Sequence, residues 1–141
     1  MSVFVLPMSV FVLPTSLAPP RHRTFHPSPT PLQIPSDKVP FNEAPAMKAL
    51  EVCEAGKEAL LSGLYDQVRI NFANPDMVGH TGDLEASVFA CALCDEKVKE
   101  LLEATEAVGG RWLVTADHGN SDDMVQRNKK THLVRSRRLF V

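Results

Sequence analysis

Apolar positions change their spacing several times along this chain of 141 residues. In "EAPAMKALEVCEAGKEALLSG" (43–63), Met47, Leu50, Val52, Ala55, Ala59 and Leu60 recur near helical period and Gly63 supplies a stop, so a helix is expected. Gly56 weakens that expectation, because glycine costs backbone entropy in a helix interior. "DQVRINF" (66–72) alternates Val68, Ile70 and Phe72 as a short strand does. The strongest helical pattern is "GDLEASVFACALCDEKVKELLEATEAVGG" (82–110). Its stripe runs through Leu84, Val88, Cys91, Ala92, Val98, Leu101, Leu102 and Val108, with Asp83 and Glu85 near the start and Gly109-Gly110 at the end. "RWLVTA" (111–116) reads as a second strand, and "SDDMVQRN" (121–128) as the start of another helix. The small residues of "NPDMVGHTGD" (74–83) do not suggest a helix. Helix–strand–helix–strand with a long helical crossover predicts an α/β fold, a parallel sheet covered by helices. Two strands cannot make such a sheet alone, so the pattern describes part of a domain.

The chain divides into three stretches. Residues 1–34 open with a tandem repeat, "MSVFVLP" twice, whose Pro7 and Pro14 rule out a coiled-coil heptad. The Pro-, Ser- and Thr-rich remainder lacks the apolar content to fold alone, so 1–34 is expected to be a disordered leader or unrelated sequence. Residues 35–130 carry the α/β pattern, and 131–141 form a divergent tail containing "RSRR".

Composition narrows the class. With 44% hydrophobic and 23% charged residues the chain is ordinary for a globular protein. A formal net charge of -2 gives no reason to expect nucleic acid or a membrane surface as partner. The charge is uneven: residues 1–36 hold Arg21 and Arg23 and no acid, leaving 17 acids against 13 of the 15 Lys and Arg in the rest. An acid-free leader of this kind allows an organelle transit peptide. Cys53, Cys91 and Cys94 are too few for a disulfide framework, and "CALC" (91–94), placed mid-helix, is expected to hold packing cysteines.

The chemistry lies beyond the two strands. Ligands in parallel α/β sheets collect at the carboxyl ends of strands. Asp76 and His80 follow the first strand, and Asp117 and His118, in "TADHGN", follow the second. Two carboxylates and two imidazoles suit Mn²⁺ or Zn²⁺ better than Ca²⁺. Two such ions about 3.5–4 Å apart can hold a phosphoryl group in transfer. Each pair alone has a plainer account: Asn74-Pro75 as a turn, Asp76 or Asp83 as a helix cap, His80 as a solvated loop residue.

The stretches "SDKVPF", "NPDMVGHTGDLEA" and "VTADHGNSDDM" together resemble the cofactor-independent (2,3-bisphosphoglycerate-independent) phosphoglycerate mutases of the plant-like type, in the alkaline-phosphatase-like superfamily. The resemblance covers about residues 35–130. It implies part of an alkaline-phosphatase-like domain from a glycolytic isomerase that interconverts 3-phosphoglycerate and 2-phosphoglycerate with two Mn²⁺ ions. By position, Asp76 and His80 match ligands of one ion, Asp117 and His118 ligands of the other, and Lys38 a lysine facing the phosphoryl group. The family's nucleophilic serine, its substrate-binding domain and a further histidine ligand have no counterpart here. Ser62 and Ser121 are misplaced for the nucleophile, and His132 lacks the surroundings of the missing ligand. The resemblance therefore implies a fragment of an enzyme. The alternatives are a truncated pseudoenzyme that binds metal or a partner, and another metal-dependent phosphomutase or phosphohydrolase of the superfamily. The family is monomeric as a rule, and its pathway implies the cytoplasm, with a plastid or mitochondrion if residues 1–34 are a transit peptide.

Overall fold

The computed structural model describes residues 8–14, 32–65, 67–116, 118–127 and 134–136, with the strands 8–14, 125–127 and 134–136 described by backbone alone. Strand β1 (Met8–Pro14) is followed by α1 (Ala49–Leu61), β2 (Val68–Phe72), α2 (Asn74–Gly79), α3 (Leu84–Ala107), β3 (Gly110–Ala116) and the short strands β4 (Val125–Arg127) and β5 (Val134–Ser136).

β1 is the middle strand of a three-stranded sheet ordered β2-β1-β3. Both of its pairings are antiparallel: Met8 stands opposite Phe72 on one side and Ala116 on the other, and Val12 opposite Val68 and Trp112. This corrects the expected parallel sheet, since the described ladders are all antiparallel. It also gives a structured place to part of the leader, because the second "MSVFVLP" copy supplies the strand between the two that periodicity predicts. β2 and β3, each antiparallel to β1, still run in the same direction. Phe72 and Ala116 share one cross-strand row, so the chain leaves both strands at the same edge, about 10 Å apart at two strand spacings.

α1 and α3 pack on one face of this sheet. Ala49, Cys53 and Leu60 from α1 and Cys94, Val98 and Leu101 from α3 close over Ile70 and Phe72 in one buried cluster. α1 starts later than its periodicity suggests. Residues 41–48 form turns, and Met47 takes a φ of 43°, which a right-handed helix does not contain. The buried face of α3 also differs from the expected stripe: Ala86, Ser87, Ala90, Cys94, Val98, Leu101 and Thr105 are inside, whereas Leu84 and Val88 are exposed. Small residues on its first turns admit α2, whose Val78 packs on Ala86 and Ala90 in a second cluster.

Two further expectations change. Residues 74–79 are helical, because Pro75 needs no hydrogen-bond donor in a first turn and the segment closes through His80 N–H to Asp76 O at 3.0 Å. Residues 125–127, expected to be helical, pair with 134–136 as an antiparallel hairpin.

Candidate metal centre

The two sheet-edge exits bring separate parts of the sequence together. After β2 the chain turns at once into α2, which Asn74 anchors. This buried residue donates its side-chain amide to Pro45 O at 3.1 Å and Ala46 O at 2.7 Å, tying α2 to the segment ahead of α1. Asp76 and His80 are one helical turn apart, which sets the His80 Nε2 atom 3.3 Å from Asp76 Oδ1. Past β3, His118 brings its Nδ1 to 4.0 Å from the same carboxylate oxygen. The Asp76 side chain is largely shielded, His80 partly so, and His118 is half exposed.

Asn120 joins the two halves directly. It is buried, and its Nδ2 donates to Asp76 Oδ1 at 2.7 Å and to Asp76 O at 3.0 Å. The adjacent Ser121 donates its hydroxyl to Pro75 O. Behind α2, Asp83 caps α3 by accepting from Ala86 N–H at 3.0 Å, and Thr81 Oγ1 donates to Val78 O at 2.6 Å. Asp83 is thus a cap, and Asp76 faces the two histidines.

Ligands 2.0–2.2 Å from a common tetrahedral ion sit roughly 3.4 Å apart, and the His80–Asp76 separation of 3.3 Å matches that edge. Among the described residues nothing hydrogen-bonds the buried His80 Nδ1, the nitrogen on the far side of the ring from Asp76, a state that costs about 1–3 kcal/mol unless water or an ion satisfies it. Oxygen and imidazole donors together suit a borderline divalent ion. These residues fit one side of a metal site. Among the described residues no group of three or more His, Cys, Asp or Glu is placed to hold a metal ion by itself.

The remaining predicted site residues fall elsewhere. Asp117 and His132 lie outside the described residues. Lys38 is exposed at a bend ahead of α1, next to Asp37, which pairs with Lys48 at 3.0 Å. Ser62 caps the end of α1, donating to Ala59 O at 2.8 Å. The cysteines are free and packed: burial pushes the Cys53 thiol up to about 11 and Cys94 to about 12, which keeps both protonated and unreactive at neutral pH. Asn120 carries no sequence signal beyond its position directly after the Asp-His pair, and Ser121, misplaced as a nucleophile, instead donates to Pro75 O.

The chain is similar to known metalloenzymes. Residues 20–135 match the model of the metalloenzyme superfamily. The 2,3-bisphosphoglycerate-independent phosphoglycerate mutase of Zea mays is 62% identical over 99 residues, covering 70% of this chain and 18% of that protein. The Nicotiana tabacum enzyme of the same name is 60% identical over 100 residues, again 70% and 18%. A crystal structure of Leishmania mexicana phosphoglycerate mutase at low cobalt concentration superposes with a TM-score of 0.65 at 51% identity, over 70% of this chain and 18% of that one. The chain thus spans about a fifth of the length of the curated relatives it matches.

Proposed function

This chain belongs to the metalloenzyme superfamily, and from that premise we propose that it is the metal-holding part of a 2,3-bisphosphoglycerate-independent phosphoglycerate mutase. The observation that carries the proposal is the convergence of His80 and His118, 38 positions apart in sequence, on one carboxylate oxygen of Asp76. Similarity to mutases at 62% and 60% identity supports the substrate class, 3-phosphoglycerate and 2-phosphoglycerate. Cobalt in the neighbouring structure supports a borderline divalent ion, and we assign Mn²⁺ as the native one.

In this reading Asp76 and His80 hold one ion, Asp117 and His118 the second. Bound ions would offset charge on the phosphoryl oxygens as the group moves between the two hydroxyls of the glycerate. α2 presents Asp76 and His80 on one face, so neither has to reorganise when an ion arrives. Lys38 contributes a point charge toward the phosphoryl oxygens. The serine that takes the phosphoryl group and the arginines that grip the glycerate belong to the remainder of such an enzyme, so the chain alone binds metal without turning over phosphoglycerate. We place the activity in the cytoplasm. The central position of β1 supports this over an organelle, because removal of residues 1–34 as a transit peptide would take the middle strand out of the sheet.

Titration calorimetry with Mn²⁺ tests the proposal. The full chain is expected to bind two ions, and Asp117→Ala to lose the one that Asp117 and His118 hold. Binding unchanged by Asp117→Ala would overturn the ligand assignment, and turnover of 3-phosphoglycerate by the chain alone would overturn its restriction to metal holding.

A further inference from the structure

Asp76 and His80 sit on α2, and His118 on the loop after β3. His118 reaches Asp76 only at 4.0 Å, too long for a hydrogen bond. The contacts that do span the gap come from the next two residues. Asn120 Nδ2 takes both the main-chain oxygen and the carboxylate Oδ1 of Asp76, at 3.0 and 2.7 Å. Ser121 takes the carbonyl of Pro75, one residue earlier on α2. Three hydrogen bonds thus join two consecutive loop residues to two consecutive helix residues, while Asn120 itself is buried.

The opposite wall of this contact is glycine. A Cβ added at Gly79 would stand 2.7 Å from Ser121 Oγ and 3.2 Å from the Asn120 amide. A Cβ at 2.7 Å is closer than real Cβ atoms come, so any larger residue at Gly79 would displace the Ser121 hydroxyl. The loop is therefore held against α2 where Asp76, His80 and His118 meet.

We propose that Asn120 and Ser121 form a clasp that sets the position of the Asp76 carboxylate and its distance from His118, with Asn120 the positioning residue for Asp76. The inference rests on the metal-holding reading above. Asn120 is not itself a ligand. Its amide donates to Asp76 Oδ1, the oxygen that both imidazoles approach, and so fixes the carboxylate's rotation. An ion arriving at a carboxylate held this way loses no affinity to side-chain rotation. Partners of this kind are worth about 10- to 100-fold in metal affinity when removed.

Co²⁺ titration of the full chain, followed by visible absorption, tests the clasp, because the bands report ligand geometry as well as occupancy. Apo folding is followed alongside by circular dichroism. Asn120→Ala is expected to weaken Co²⁺ binding about 10- to 100-fold and to shift the absorption bands, with the apo secondary structure retained. A residue with a merely structural role would lower the apo melting temperature and leave the bands and affinity of the folded protein unchanged, which would overturn the proposal. If Asn120→Ala does not fold, Ser121→Ala, which keeps the Asn120 amide but frees the loop from Pro75, is read in the same way; unaltered affinity and bands there overturn the clasp. The wild-type chain separates the two levels. Absence of Co²⁺ binding by wild type overturns the metal-holding reading and the clasp with it, whereas wild-type binding that both variants retain overturns the clasp alone.

Discussion

Gly56 shows how a single residue misleads when only its local preference is known. Within α1 it counts against the helix, yet the helix forms, because the missing side chain is what lets α1 approach the sheet. A Cβ there would meet Ile70 Cδ1 at 2.5 Å and Leu101 Cδ2 at 3.0 Å, both on buried side chains. Gly56→Ala gains about 1 kcal/mol of helix propensity and loses about 1–3 kcal/mol to overpacking. The expected net effect is destabilisation, read as a lower urea midpoint at unchanged slope; a raised midpoint would show that the core yields there. The same limit explains which site residues were legible. Asp76, His80 and His118 announce themselves by chemical type. Asn74 and Asn120 do not, because an amide reveals its role only through its partners, here Pro45 and Ala46 for one and Asp76 for the other.

Elements were legible where a long pattern leaves the chain few alternatives. α3 runs over 24 residues and β3 matches its predicted span within one residue, Gly110 being added at its start. Short elements were decided by partners instead. α2 is six residues long, too short to stand by propensity, and persists because Val78 packs on α3 and Asn74 ties its start. β4 and β5 are three residues each and exist only as a pair, so Val125–Arg127 carries no local sign of being a strand. The junction of α2 and α3 depends on one cap, Asp83, whose carboxylate accepts from Ala86 N–H while its carbonyl accepts from the Ser87 hydroxyl at 2.7 Å. Asp83→Ala removes the carboxylate contact and is expected to cost about 1 kcal/mol. Thermal unfolding by circular dichroism measures it, and Asp83→Asn, which preserves an acceptor, should recover most of the loss. Equal losses in both variants would mean that charge at the helix start matters more than the cap bond.

For the whole molecule, the decisive piece is one that composition alone would set aside. β2 and β3 are separated by a single strand position, and residues 8–14 fill it with ladders on both sides. An empty position would leave β2 and β3 with facing edges unpaired, a condition that costs hydrogen bonds and invites association with other chains. Residues 1–7 repeat the same seven letters. Deleting 1–7 or deleting 8–14 therefore yields one and the same polypeptide, which still carries one strand of the right sequence, joined to the same "TSLAPP" continuation. That single-copy chain is expected to melt cooperatively at nearly the temperature of the full chain. Deleting 1–14 removes every candidate for the central position. The two remaining strands then have no common neighbour, the row that aligns Phe72 with Ala116 is lost, and with it the sheet-edge placement that brings His118 to Asp76. Calorimetric melting and sedimentation of the three chains read the difference. Loss of the cooperative transition, with aggregation, is expected only when both copies are gone. A cooperative, monomeric chain lacking residues 1–14 would show that β2 and β3 do not depend on the repeat, and that the edge carrying the candidate metal ligands is organised by the helices instead.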